Sequence, residues 1–458
     1  MNELKLQPGF IFRALLLIVA GVVVIDGIHQ ILYARSALGE LGKWLRGHAT
    51  DDSWRHMRQA YAVLRGPRDD PAYQEIFFDQ KIKFQYLLTS LLPFYFAEKL
   101  GIFLGNRTLN FVSGICVVLQ ILAVAQVAVM AFRRRVAAGA GALVPQGPAW
   151  GVWAVAAVAA LLFYPQLKAY SLGQVQAWLN AWFALACLAW MLNRPFAAGM
   201  LVALVCLFKP QFALFLPWAL LRRQWHFVAG WCAVAFTGAA MSLAFFGWRD
   251  NLDYLSVLSF MSRHGEAYYP NQSVNGLLNR LLGNGDSTQW ESGGFPPYHA
   301  VVHAATILTS ALLVGFCLFH KFRAANFSVV DVLIAALSFT MASPIAWEHH
   351  YGGLVVAFPV LALLLLEWSQ PRERRMLLAL LAVSWLLCSR FWPSAQELAP
   401  TWANPLQSYL FFGFLALLWL MYRVRDFAAD RLGQTPATAG RRPQWPLRRL
   451  SAARFARR

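Results

Sequence analysis

The stretch Ser343-Pro344-Ile345-Ala346-Trp347-Glu348-His349-His350-Tyr351 interrupts a chain that is apolar on both sides of it. Pro344 biases Ser343 away from the α region and removes a backbone donor, so a helix is expected to end here. A glutamate, two histidines, a tryptophan and a tyrosine then fall within five positions. Side chains this polar are costly at membrane depth unless they face a water-filled cavity. The competing reading is an interfacial loop anchored by Trp347 and Tyr351. As a metal pair the histidines are poorly spaced, because neighbouring helical residues point about 100° apart. No HExxH and no cysteine cluster accompanies them, so no metal is expected.

Four other places carry comparable chemistry. Asp51-Asp52-Ser53 opens a helical stretch, and a carboxylate there is either an N-cap or a general base. The two roles are compatible, since the helix dipole keeps such a carboxylate ionised. Lys209, next to Pro210 inside an apolar run, needs an anion or water, unless it snorkels to the interface. Gln174 precedes a helix and can donate to sugar hydroxyls or phosphate oxygens, although a plain entry turn reads the same way. Asn271, Asn275 and Asn279 recur every four residues, an amide stripe on one helical face with Gln272 beside it. Asparagine is poor helix material, so the stripe is expected to have hydrogen-bond work to do. Arg280 adds a fork suited to phosphate.

The elements that must position these residues follow from composition. Hydrophobic residues make up 58% of the 458 and charged ones 14%, and apolar runs of about twenty residues recur throughout. This predicts an all-α, polytopic integral membrane protein rather than a β-barrel. The formal charge of +18 sits largely in short loops and the tail, which argues for anionic headgroups and against nucleic acid. The six cysteines lie singly in apolar spans and offer no disulfide framework. Ile11–Ile31 reads as a retained signal anchor.

Arg133–Arg135, Arg194, Arg222, Lys321, Arg372–Arg375 and the tail mark the inner side. Laying spans between them gives about 11 to 13 crossings in a domain over residues 1–425, followed by a basic tail, 426–458, too poor in apolar residues to fold. Residues 34–83 and 247–299 become external loops. Phe196–Leu221 becomes a hairpin with Lys209 at its tip, and Phe84–Ala131 must cross an odd number of times. In the first loop Trp54, Met57, Tyr61 and Leu64 recur at helical spacing, predicting an interfacial helix with Arg55 and Arg58 toward the headgroups. Every polar cluster falls on the external side.

The order Gly173-Gln174, Leu207-Phe208-Lys209-Pro210-Gln211, Asn271-Gln272-Ser273 with Arg280, and Ser343-Pro344…Trp347…His349-His350-Tyr351 resembles glycosyltransferase family 87 from about Asp51 to His350. Members of that family include polyprenol-phosphate-mannose-dependent mannosyltransferases. The resemblance implies a GT-C-like fold, with many helices, external interfacial helices and a catalytic Asp in the first external loop. Counting back from Gly66 along the family's pattern lands on Asp52. Ser53-Trp54-Arg55-His56 replaces the family's aromatic residues there, which leaves Asp51 as a competitor. After Tyr86 the usual tandem proline is missing.

The implied reaction is an inverting transfer of a sugar, mannose by family, from a polyprenyl phosphate to a glycan or glycolipid. It takes place on the external face of a bacterial cytoplasmic membrane. Asp52 is the base, and Lys209, Arg280, His349 and His350 meet the phosphate. Gln174, Asn271, Gln272, Asn275 and Trp347 meet sugar or acceptor. No cofactor is required. The rival readings are a lipid-linked sugar transporter and an O-antigen ligase or polymerase.

Overall fold

The computed structural model describes residues 8–137, 149–290 and 294–433. All regular elements among these residues are helical, and their one extended pairing is an isolated antiparallel bridge between Asn271 and Trp347. The protein is an all-α, polytopic membrane protein. Five helices among the described residues are long and apolar enough to cross a bilayer: Asn106–Arg134, Trp225–Phe246, Ala300–Phe319, Glu348–Leu366 and Asn404–Leu432. Ala149–Leu161 and Tyr164–Ser171 form a sixth if counted as one span bent by 50°. The bend falls where Pro165 cannot continue the preceding helix. Pro195–Cys206, Pro210–Leu221 and Val329–Met341 are shorter apolar helices. The expected 11 to 13 crossings therefore include segments that fold as less than a full span.

The odd crossing between Phe84 and Ala131 finds its explanation here. The first candidate span is a 3₁₀ turn, Leu88–Leu91, and an eight-residue helix, Leu92–Lys99. At the helical rise that helix is about 12 Å long, against a hydrocarbon core of about 30 Å. It does not cross. The hairpin expected at Phe196–Leu221 is present, with a descending helix Pro195–Cys206, a tip at Lys209 and a return through Pro210–Leu214 and Phe215–Leu221. Its twelve-residue first arm reaches only about 18 Å, so the tip stops within the membrane's thickness. The arm is braced by a glycine contact with Trp225–Phe246. A Cβ on Gly199 would lie 2.1 Å from Phe227 O, and one on Gly230 would lie 2.0 Å from Phe196 O. Only paired glycines let these two backbones approach so closely.

The helix expected to lie on the membrane is covered by protein instead. Trp54, Met57, Ala60 and Leu64 of Asp52–Arg65 are buried in the main core, and Trp54 Nε1 donates to Asn110 Oδ1 at 2.8 Å. Burial of each large side chain contributes about 1.5–3 kcal/mol, which fixes this helix to the membrane domain.

The basic residues expected on the inner side have structural partners. Arg134 donates to Leu432 O and Met191 O, and Arg222 to Cys317 O and Leu318 O, all carbonyls at helix C-termini. Arg425 Nε pairs with buried Asp331 at 2.7 Å. The last helix, Tyr409–Leu432, runs past the boundary expected at 425. The rest of the basic tail lies outside the described residues.

Candidate active site

A chamber of about 890 Å³ collects residues from the first loop, the Tyr164–Gln174 segment, the hairpin tip, the helix Trp248–His264 and the Ser343–His350 stretch. Asp51, Asp52, Gln174, Lys209, Trp347, His349 and His350 all line it.

Asp52 reaches the chamber through a backbone stitch. Thr50 N donates to Ser171 O at 2.9 Å, Asp52 N to Leu172 O at 3.0 Å, and Ser53 N to Gly173 O at 3.2 Å. The approach requires glycine at 173, where φ is +62° and a Cβ would lie 2.0 Å from Thr50 O. Asp52 Oδ2 then accepts from Gln174 Nε2 at 2.5 Å. Gln174 Oε1 is held in turn by Ser53 Oγ at 2.6 Å and Tyr86 OH at 3.1 Å. Burial pushes the Tyr86 phenol well up, so it stays a hydroxyl and a donor. Asp51 occupies the N-cap position, yet its side chain makes no capping bond. It accepts from Asn106 Nδ2 at 3.1 Å and lies 3.7 Å from the Arg58 guanidinium. Of the two carboxylates, Asp51 faces a cation, whereas Asp52 is aimed by a neutral amide.

Lys209 Nζ lies 2.8 Å from His350 Nε2 and 5.6 Å from the centre of the Tyr86 ring. His350 Nδ1 accepts the Trp347 backbone N–H at 3.2 Å, so a neutral imidazole carries its proton on Nε2. Lys209 then accepts that proton's hydrogen bond as an amine. His349, 4% exposed, stands edge-on to His350 at 4.9 Å, and its Nε2 has no hydrogen-bond partner among the described residues. These groups can meet an anion once Lys209 is protonated.

The Asn-rich block lies elsewhere. None of Asn271, Gln272, Asn275 and Arg280 lines the chamber. Arg280 is 2% exposed and donates to Ala267 O, Tyr268 O, Asn271 O and Ser408 Oγ. Its fork is closed around backbone carbonyls and is not presented to a phosphate. Asn271 accepts from Ala346 N and donates to Glu266 O and Pro344 O. Gln272 bonds Tyr269 O, Gln407 O and Phe411 N, and Asn275 bonds Glu266 N and Thr306 Oγ1. The block shapes the wall that carries Trp347 and the histidines.

Tyr86, Tyr164, Lys168 and Glu348 also line the chamber, although no site role is expected of them from their residue types and spacing. Lys168, in a stretch expected to be external, is the one a reader of charge alone would have noticed. Among the described residues no three His, Cys, Asp or Glu side chains gather as a metal site.

Residues 84–344, more than half of the chain, match the family described as glycosyltransferase family 87. Over 249 residues the chain is 27% identical to the polyprenol-phosphate-mannose-dependent alpha-(1-2)-phosphatidylinositol mannoside mannosyltransferase of Mycobacterium tuberculosis. The aligned part is 53% of this chain and 53% of that protein, so the chain spans about half the length of the curated relative it matches. No solved structure matches it.

Proposed function

This chain belongs to glycosyltransferase family 87, and from that premise we propose that it transfers mannose from a polyprenyl phosphate to a hydroxyl of a glycan or glycolipid, with inversion. The observation that carries the reading is the bridge made by Tyr86. Its hydroxyl holds the glutamine that aims Asp52, and Lys209 stands over its ring. The proposed base and the proposed phosphate contact thus line one chamber, linked through Gln174 and Tyr86.

Asp52 takes the proton of the acceptor hydroxyl as that oxygen bonds to the anomeric carbon. The bond from that carbon to the phosphate oxygen breaks on the opposite face, and its electron pair leaves with the phosphate. A diester becomes a monoester and gains charge. Lys209, as ammonium, and the N–H groups of His349 and His350 meet that charge in a partly desolvated site. The reaction needs no nucleotide. Its setting is the external face of a bacterial cytoplasmic membrane, with the donor arriving from the bilayer.

The test is transfer by purified protein in nanodiscs, supplied with synthetic prenyl-phosphate mannose and a panel of acceptors. Transfer that disappears in Asp52→Asn, with prenyl-phosphate affinity retained, supports the reading. Transfer only of whole glycans from a lipid pyrophosphate would replace it with a ligase.

A further inference from the structure

The reaction above leaves one polar wall of the chamber without a task. On the short helix Tyr164–Ser171, Tyr164 and Lys168 stand one turn apart on the same face, and both line the chamber. Tyr164 OH donates to Glu348 Oε1 at 3.0 Å, and this chamber-lining carboxylate is 2% exposed. Lys168 Nζ lies 3.7 Å from Glu40 Oε1. Glu40 is 5% exposed and also lines the chamber, and its Oε1 accepts from Lys43 Nζ at 3.0 Å. Tyr164 satisfies one oxygen of Glu348, which leaves the carboxylate's other lone pairs to a ligand that brings donors.

The chemistry of the wall narrows the ligand. Two carboxylates disfavour an anion, while Lys168 and Lys43, both in contact with Glu40, disfavour a cation. A neutral ring with several hydroxyls both donates to Glu40 and Glu348 and accepts from Lys168. Its place follows from the helix. From Tyr164 to Ser171 is about 10 Å at the helical rise, and Gln174, which aims Asp52, follows at the far end. We infer that Glu348, Glu40, Tyr164 and Lys168 form the acceptor subsite, which holds a polyhydroxylated ring, a sugar or a cyclitol, extending from Asp52 along this helix. The assignment to the acceptor rests on the proposed transfer. The hydroxyl-binding wall itself does not.

The probe is methyl α-mannopyranoside, its binding followed by saturation-transfer NMR on the full chain in nanodiscs. Polyprenyl-phosphate and polyprenyl-phosphate-mannose affinities are measured on the same samples. Glu348→Gln keeps the size and can still accept from Tyr164, so the fold survives. Lys168→Met removes a partly exposed charge and gives a second, independent arm. Each variant should weaken mannoside binding about tenfold, the loss of one hydrogen bond to a charged group, and leave both prenyl ligands unaffected. Unchanged mannoside binding in both variants overturns the inference. So does a parallel loss of all ligands, which makes the wall scaffold, or a loss confined to the sugar-bearing donor, which gives the wall to the donor. Because the polyol is measured alone, the outcome is independent of whether the wild type uses a prenyl-phosphate donor.

Discussion

Two polar clusters, one buried and one half-buried, behave in opposite ways. The block from Asn271 to Arg280 directs its amides and guanidinium onto backbone carbonyls, amides and a serine, so its hydrogen bonds close within the protein. The group Asp52, Gln174, Lys209, His349 and His350 is tied together more sparingly and borders the chamber. Polar groups are costly to bury unless paired, and the second cluster pairs beside open space while the first pairs inside the fold. Side-chain type does not separate the two; the surroundings in which their hydrogen bonds are made do.

The comparison predicts a hierarchy of losses. Asp52→Asn keeps the helix start and the amide contact but cannot take a proton, so turnover should fall by about two to four orders of magnitude with the melting temperature unchanged. Asp51→Asn should change turnover far less. Equal losses in single-turnover assays would merge the roles of the two aspartates. Arg280→Met should act the other way, leaving several buried carbonyls without donors and costing about 2–4 kcal/mol of stability. Turnover per folded molecule should hold. A folded Arg280→Met protein that had lost donor affinity would put this arginine back at the phosphate.

Lys209→Met should weaken polyprenyl-phosphate binding about tenfold to a hundredfold while preserving the fold, because the apolar stem is retained. Isothermal titration and thermal melting separate the two effects. The smallest effect is one of pH. Lys209 is an amine against His350 in the empty chamber and an ammonium against phosphate, so donor binding takes up a proton. Affinity should then fall as pH rises, by up to about tenfold per unit. Lys209→Met should flatten the slope, and a wild-type slope of zero would mean that Lys209 is charged throughout.

Much of this was legible from residues alone. Apolar runs specified an all-helical membrane protein, and the price of Lys209 in an apolar hairpin marked it for the chamber. The Asn stripe misled because its partners, such as Ala346 N, Gln407 O and Thr306 Oγ1, lie 31 to 135 residues away. Periodicity shows which face an amide occupies and says nothing of what waits there. Trp54 and Met57 misled for a related reason, since an amphipathic stripe fits a lipid surface and a protein surface equally well. Glu348 stands out in the sequence, but its partner Tyr164 lies 184 residues away, so the pair is not legible there.

The stitch between Thr50–Ser53 and Ser171–Gly173 bears on how such a site can change over time. Its three bonds run between main-chain atoms, and one bare α-carbon at Gly173 makes room for them. The proposed base is therefore placed first by the chain's path, and the Gln174 and Ser53 side chains then aim it. A segment reading Ser53-Trp54-Arg55-His56 can stand where the resembling family carries aromatics, and the carboxylate still arrives at the same address. Position 173 admits no side chain without pushing Thr50 and Asp51, and Asp52 with them, out of place.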